Sequence, residues 1–426
     1  MEVRLSARML VLAMTFLVGG AARGWAGGAM AYEFGTPDVG LASAGFAARA
    51  QDAATLFTNP AGMTRLEGAN LMTAIQALYG TTEFSPHANT TVSGNDGGNP
   101  IGWFPGGSLF YTRSVSPDVT VGVGTFSNFG LGIDYEDGWV GRYFVDEGVL
   151  IGLSLMPAIA YRVNPKFSVG GGLNAMYGVF KAVVEVNNAL PSQGDGELEV
   201  EDRNWGFGGN FGALYEPCDK TRVGVTYATE NQLDFSDQPK LTNLGPGLQA
   251  ALQASGLLDS ELGLEMSVPQ TLMGSVYHSI NDRWAVLGNL GWQDWSNFGK
   301  VGVEVRSDDP TSLTVDRKYK DTWQVAAGAQ IRLSEPWLVS TGVAYDSDVV
   351  EDEDRTADMP LGSTWRFGGG VQHPINEKIE IGGAYTLAWA GRLPLDQTGG
   401  PLQGRVAGQY EGTALHFFAI NLAWKL

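Results

Sequence analysis

In the stretch RWAVLGNLGWQ (283–293) every second residue belongs with the same group. Trp284, Val286, Gly288, Leu290 and Trp292 fall on one side, and Ala285, Leu287, Asn289, Gly291 and Gln293, smaller and more polar, on the other. The C-terminus repeats the arrangement: Phe418, Ile420, Leu422, Trp424 and Leu426 alternate with Ala419, Asn421, Ala423 and Lys425. Strand side chains point to opposite faces in turn, so this spacing is that of a β-strand with one face against an apolar medium.

The connections between such stretches come in two kinds. Short turns occur at 113–118, 162–166, 215–220, 280–283, 333–336 and 373–378. Long polar or glycine-rich connections lie near 85–102, 130–148, 188–202, 236–266, 306–317, 347–361 and 390–411. The six short connections alternate with the seven long ones, so the pattern predicts fourteen strands of about 9–11 residues, enough to cross a bilayer when tilted. Short turns at one rim and long loops at the other are the mark of an outer-membrane barrel, and closure removes the strand edges that lipid would leave unpaired. The fold class is therefore all-β, a fourteen-stranded antiparallel transmembrane barrel. Tryptophans support it, with Trp284, Trp337 and Trp424 near the short-turn rim. Trp103, Trp205, Trp295, Trp323, Trp365 and Trp389 lie near the long-loop rim, as two interfacial girdles require. A soluble sandwich or propeller explains the alternation but not the two-sided loop asymmetry.

The first residues set the address. Arg4 and Arg8 precede a short apolar run, and Ala29-Met30-Ala31 supplies small residues where a signal peptidase reads. Residues 1–31 are expected to be a secretory signal peptide, cut before Tyr32. The whole chain carries a formal charge of −19, which excludes nucleic acid as a partner. A single cysteine, Cys218, rules out an internal disulfide framework.

Residues 32–67 fall outside the alternating pattern. They are rich in small residues, broken by Pro37 and Pro60, and carry Leu41, Phe46, Leu56 and Phe57, which full solvation would expose. Such a segment at the short-turn rim can fold up into the lumen as a plug, leaving residues 68–426 as the barrel. Asn59-Pro60-Ala61 closes it: Pro60 stops a helix arriving from Ala53–Phe57, and Asn59 can hydrogen-bond the wall.

With these features together, the chain resembles the FadL family of outer-membrane channels for long-chain fatty acids and other hydrophobic compounds. DAATLFTNPAGMTRL (52–66) is similar to the family's hatch motif, and GWVGRYFVDEGVLIGLSLMPAIAYRVNPKFSVGGGLNAMYG (138–178) to its fourth and fifth strands. NWGFGGNFGALYEPCDKTRVGVTYATE (204–230) resembles strands six and seven, and YKDTWQVAAGAQIRL (319–333) strand ten. The resemblance implies an N-terminal hatch inside the barrel, capture of substrate between extracellular loops, a lumenal pocket, and lateral exit at a kinked third strand. It implies a monomer placed by the barrel assembly machinery among outer-membrane lipids and lipopolysaccharide, with fatty acids or hydrocarbons as partners and no cofactor. It also matches Lys320 to a lysine facing the pocket, where it would meet a carboxylate. Phe46, Phe57, Leu248, Leu252 and Leu257 are the candidate apolar contacts, the leucines at helical spacing in the loop 236–266. The exit strand carries Phe126, Asn128, Phe129 and Gly130, with Asn128 where many relatives have proline. The chain ends in Leu426, whereas barrels usually end in an aromatic.

Other functions fit less well. An outer-membrane enzyme would need a catalytic group among His87, His278, His373 and His416, but His278 and His373 fall at the short-turn rim and there is no Gly-x-Ser-x-Gly. No metal site is expected; the acidic run DSDVVEDEDRTAD (346–358) lacks calcium-loop spacing and reads as a solvated surface loop able to share divalent ions with lipopolysaccharide. A general porin leaves its lumen open, and uptake of aromatic hydrocarbons would use the same architecture as fatty acids.

Overall fold

Along β12 (Trp284–Gln293) the two expected faces separate completely: Ala285, Leu287 and Asn289 are buried, while Trp284, Val286 and Leu290 face outward and are exposed. The same division runs round a closed antiparallel wall. The structure is a computed structural model that describes residues 30, 32–33, 35–188, 193–307, 310–334 and 336–426. The signal-peptide reading of residues 1–31 therefore lies, except for Met30, outside the described residues.

The first seven wall strands are β1 (Ala69–Pro86), β2 (Gly102–Ser114), β3 (Val119–Asp134), β4 (Glu147–Asn164), β5 (Phe167–Val186), β6 (Gly196–Cys218) and β7 (Thr221–Ala228). The loop after β7 contributes β8 (Asn231–Asp237), β9 (Lys240–Thr242) and β10 (Glu261–Val268). The wall resumes with β11 (Thr271–Ser279) and β12, and the next loop adds β13 (Lys300–Arg306) and β14 (Thr311–Asp316). It is completed by β15 (Thr322–Ser334), β16 (Trp337–Asp346), β17 (Thr364–Pro374), β18 (Ile379–Thr398) and β19 (Arg405–Lys425). Each wall strand pairs with its neighbours in sequence, and β1 pairs β19 from Asn70↔Lys425 to Pro86↔Gly408, which closes fourteen strands into a barrel.

The strands are longer than a bilayer demands. β5, β6 and β19 run for 20, 23 and 21 residues, so their upper ends stand clear of the membrane and carry the loops. There β8, β10, β13 and β14 form a separate four-stranded sheet. Among the described residues no helix is long and apolar enough to cross a membrane.

Two expectations need correction here. Trp295 does not join the outer girdle: it is fully buried in a short helix after β12 and donates from Nε1 to Gln293 Oε1 at 2.7 Å. Trp103, Trp205, Trp323, Trp365 and Trp389 do face outward. The acidic run 346–358 is not a simply solvated loop either. Val349, Val350 and Ala357 are buried within it and Met359 and Leu361 just after it, and Arg366, Lys320, Arg355, Lys318 and Arg317 hold its carboxylates. Among the described residues no group of His, Cys, Asp and Glu side chains is arranged to hold a metal ion.

Candidate functional site

The lumen is filled by residues 35–65. Helix α1 (Gly35–Gly40), a chain of turns through 41–48, helix α2 (Thr55–Thr58) and a 3-10 turn (Pro60–Arg65) lie inside the wall. Turns satisfy much of this segment's backbone internally, as from Leu41 N to Pro37 O and from Ala48 N to Gly45 O, and burial makes each group left over costly. Inward polar side chains of the wall supply the partners. Asn289 Oδ1 accepts from Gly45 N at 2.7 Å and Phe46 N at 3.1 Å, and its Nδ2 donates to Ser43 O at 2.6 Å. Ser275 accepts from Ala47 N, and Arg222 Nε donates to Ala48 O.

Asn59 ties the segment down at its end. Its side chain is fully buried; Nδ2 donates to Ala47 O at 2.6 Å and to Ala213 O of β6 at 3.0 Å, while Oδ1 accepts from Ala61 N and caps the 3-10 turn. Pro60 opens that turn with Asn59 extended before it, and Ala61 is buried against Leu214. The fit needs glycine on the wall. A Cβ on Gly212 would stand 1.9 Å from Asn59 Oδ1, and one on Gly224 1.8 Å from Ala47 O. Much of the glycine in the wall therefore serves close approach of the lumenal chain.

Two ion clusters are buried with this segment. Arg366 on β17 reaches Glu33 at 2.6 Å and Asp346 at 2.7 Å. Arg49 bridges Asp38 at 3.1 Å and Asp52 at 2.6 Å. Burial pushes the Asp38 carboxyl up to about 7, because the one guanidinium that offsets the burial also serves Asp52.

Aromatic rings lead from the segment to the wall. Phe46 meets Tyr32 and Phe57 edge-on with centroids 5.6 Å and 5.8 Å apart, and Phe57 lies 4.4 Å from Phe126 of β3. Phe126 in turn stacks on Phe110. Above lies one large apolar cluster that runs from Phe129, Phe180 and Phe417 on the wall up to Phe235 and Leu264 of the loop sheet. Leu252 and Leu257 are buried in it and Leu248 packs against it, so helix α3 (Pro246–Ala254) turns its apolar side inward.

The wall is interrupted beside this cluster. Pairing of β2 with β3 runs from Ser114↔Thr120 to Ser108↔Phe126 and stops. Beyond that point β2 still pairs with β1 and β3 still pairs with β4, so the two strands diverge. β3 bulges at the point of divergence, with Ser127 and Asn128 set against Leu153 between the pairs Phe126↔Ser154 and Phe129↔Gly152. Gly130 follows at φ 122°, where a Cβ would fall 2.0 Å from Leu150 O. The kink thus persists without proline. A cavity of about 100 Å³ fills the gap, between Phe104 and Gly106 on one side and Asn128 and Phe129 on the other, floored by Glu33 and Gln76.

Lys320 is the residue that the structure moves. It is exposed and pairs with Glu351 at 2.5 Å. Backbone alternation between β14 and β15 turns Arg317 and Tyr319 inward instead. Arg317 holds Asp358 at 2.8 Å, and burial pushes the Tyr319 hydroxyl up to about 12. Glu33, Gln76 and Phe104 were not singled out from sequence, since nothing local marks a strand residue as bordering a gap. Of the four histidines, His278 meets Thr221, His416 meets Tyr385, His373 stacks on Trp337, and His87 is exposed.

Comparison with known proteins agrees with this geometry. Residues 17–424 match the family model described as outer membrane protein transport protein (OMPP1/FadL/TodX). The long-chain fatty acid transport protein of Escherichia coli O6:H1 is 25% identical over 393 residues, covering 85% of this chain and 87% of the relative. The crystal structure of a Pseudomonas aeruginosa FadL homologue superposes with a TM-score of 0.85 at 18% identity, covering 93% of this chain and 99% of the other. The Ralstonia pickettii toluene transporter TbuX gives 0.67 at 20% identity, covering 92% and 98%.

Proposed function

Because the chain belongs to the outer membrane protein transport family (OMPP1/FadL/TodX), we propose that it moves long-chain fatty acids passively across the outer membrane, by loop capture, a lumenal pocket and lateral exit. The observation that carries this reading is the interruption between β2 and β3 beside the apolar cluster, above a lumen filled by residues 35–65. A lipophilic solute gains about 0.8 kcal/mol per methylene buried in such a cluster and nothing from a water-filled pore. The filled lumen argues against a general porin, and the gap offers a route into the membrane that does not pass the hatch.

In this reading Asn59, Pro60 and Ala61 hold the hatch, Phe46 and Phe57 line its upper side, and Leu248, Leu252 and Leu257 receive the substrate. Phe126, Asn128, Phe129 and Gly130 shape the exit. The relevant experiment is uptake of labelled oleate by cells in which this chain is the sole such transporter, with mass spectrometry of lipids that co-purify with the barrel. Oleate uptake lost on deletion and a bound amphiphile support the proposal. Unchanged uptake and an empty barrel would overturn it.

A further inference from the structure

The gap between β2 and β3 is not lined as a purely apolar exit would be. Asn128 is 7% exposed and contributes to the cavity, yet its Oδ1 has no hydrogen-bond partner. Donors beside it in the lining are engaged. Ser127 donates to Gly152 O at 3.0 Å, and Gln76 Nε2 donates to Glu33 O. A buried amide oxygen without a donor is costly, and a bound water or a donor on a ligand relieves that cost. An unpaired acceptor asks for a donor.

Charge narrows what that donor can be. Glu33 is the one charged residue among those that line the cavity, and no cation accompanies it there. Its partner Arg366 lies outside the lining and is shared with Asp346, so two carboxylates answer one guanidinium. The other buried arginines of the extracellular half are likewise matched: Arg142 by Glu185 and Asp195, Arg317 by Asp358, and Arg355 by Asp352. An ionised carboxylate entering the gap would meet a buried negative charge and no free cation, whereas a neutral group escapes both penalties.

We propose that Asn128 makes the gap a hydrogen-bonding exit site for an uncharged O–H donor, a long-chain alcohol or the protonated form of a fatty acid. The inference rests on the transport reading above and adds the form in which cargo leaves. Once the buried amide turns toward the cavity, the head's O–H donates a hydrogen bond to Asn128 Oδ1 while the chain lies along Leu78, Phe104, Phe129 and Phe417. Asn128 thus discriminates by the head group and leaves the apolar contacts to the rings.

The test compares uptake of 1-dodecanol, which donates, with 1-methoxydodecane, which only accepts, by intact cells expressing the full chain. Asn128→Leu is expected to slow dodecanol uptake about fivefold, the worth of one buried hydrogen bond, and to leave methoxydodecane within twofold. Asn128→Ser, which restores an acceptor, is expected to recover most of the dodecanol rate. Heat-modifiable gel mobility confirms that each barrel is closed. Equal losses for both compounds, or no loss for either, would overturn the role of Asn128 while leaving transport intact. Failure of the unmodified chain to carry either compound would instead sink the transport reading on which the inference stands.

Discussion

Asn59→Ala removes three hydrogen bonds at once from a side chain with no exposed surface. Two of them satisfy the carbonyls of Ala47 and Ala213, and the third caps the 3-10 turn at Ala61 N. Loss of a cap costs about 0.5–2 kcal/mol, and each buried group left without a partner about 1–3 kcal/mol. Water admitted to the vacated space recovers part of this, so a net loss of about 3 kcal/mol is expected for docking of the hatch. That corresponds to a rise on the order of a hundredfold in the population with residues 41–66 undocked. Hydrogen exchange read by mass spectrometry on the purified barrel measures it directly, because the amides of Gly45, Phe46 and Ala47 are held by wall side chains. Gly212→Ala attacks the same contact from the wall and is expected to act in the same direction, since its Cβ would meet Asn59 Oδ1 at 1.9 Å. Both variants should still form a closed barrel by heat-modifiable mobility. Protection in 41–66 changing by less than about threefold in Asn59→Ala would refute the reasoning.

Arg366→Leu strips the shared cation from Glu33 and Asp346 and is expected to destabilise docking of the chain near Glu33 by about 3–5 kcal/mol, read as protease cleavage there. Lys320→Ala breaks a pair in which both side chains are about half exposed or more, and is expected to change stability by less than about 1 kcal/mol and oleate uptake not at all. For Asp38 the folded pKa of about 7 lies above its ordinary value of 3.8, so the folded state binds more protons between them. Its contribution is fully present below pH 4 and is lost as pH rises through 7, and exchange in residues 35–49 should quicken from pH 5 to pH 8. In Asp38→Asn that pH dependence should flatten.

The wall was legible because its determinants are local. A period of two reports which side of a strand meets lipid, and Trp284, Val286 and Leu290 declare it without any knowledge of their neighbours. Turn composition is local too: the six short connections fall where wall strands end, whereas the long ones expected at 236–266 and 306–317 run from 229 to 270 and from 294 to 321, because strands inside those loops look like wall. Trp295 misled because rim position was inferred from sequence distance to a loop, while its burial depends on a short helix that turns the indole inward. Lys320 misled for a related reason: in an irregular connection, a residue's facing follows from how the loop packs. Arg317 and Tyr319, not Lys320, take the inward positions.

That residues 32–67 stand apart from the wall could be read from the chain, since they lack alternation and carry apolar residues that need cover. Their partners could not. Asn59 and Ala213 are 154 residues apart, and Gly45 and Asn289 244 apart, so the contacts that hold the lumenal segment exist only once the barrel closes around it. The gap in the wall is of the same kind. Ser127, Asn128 and Gly130 announce an irregular strand, but an opening is a relation between β2 and β3, made when pairing ends at Ser108 and Phe126. Sequence by itself determined which residues face lipid and which segment must be sheltered, because solvent preference belongs to each side chain. Tertiary structure alone decided what the sheltered segment holds and where the wall opens, because hydrogen-bond partners and strand pairing belong to residues brought together from across the chain.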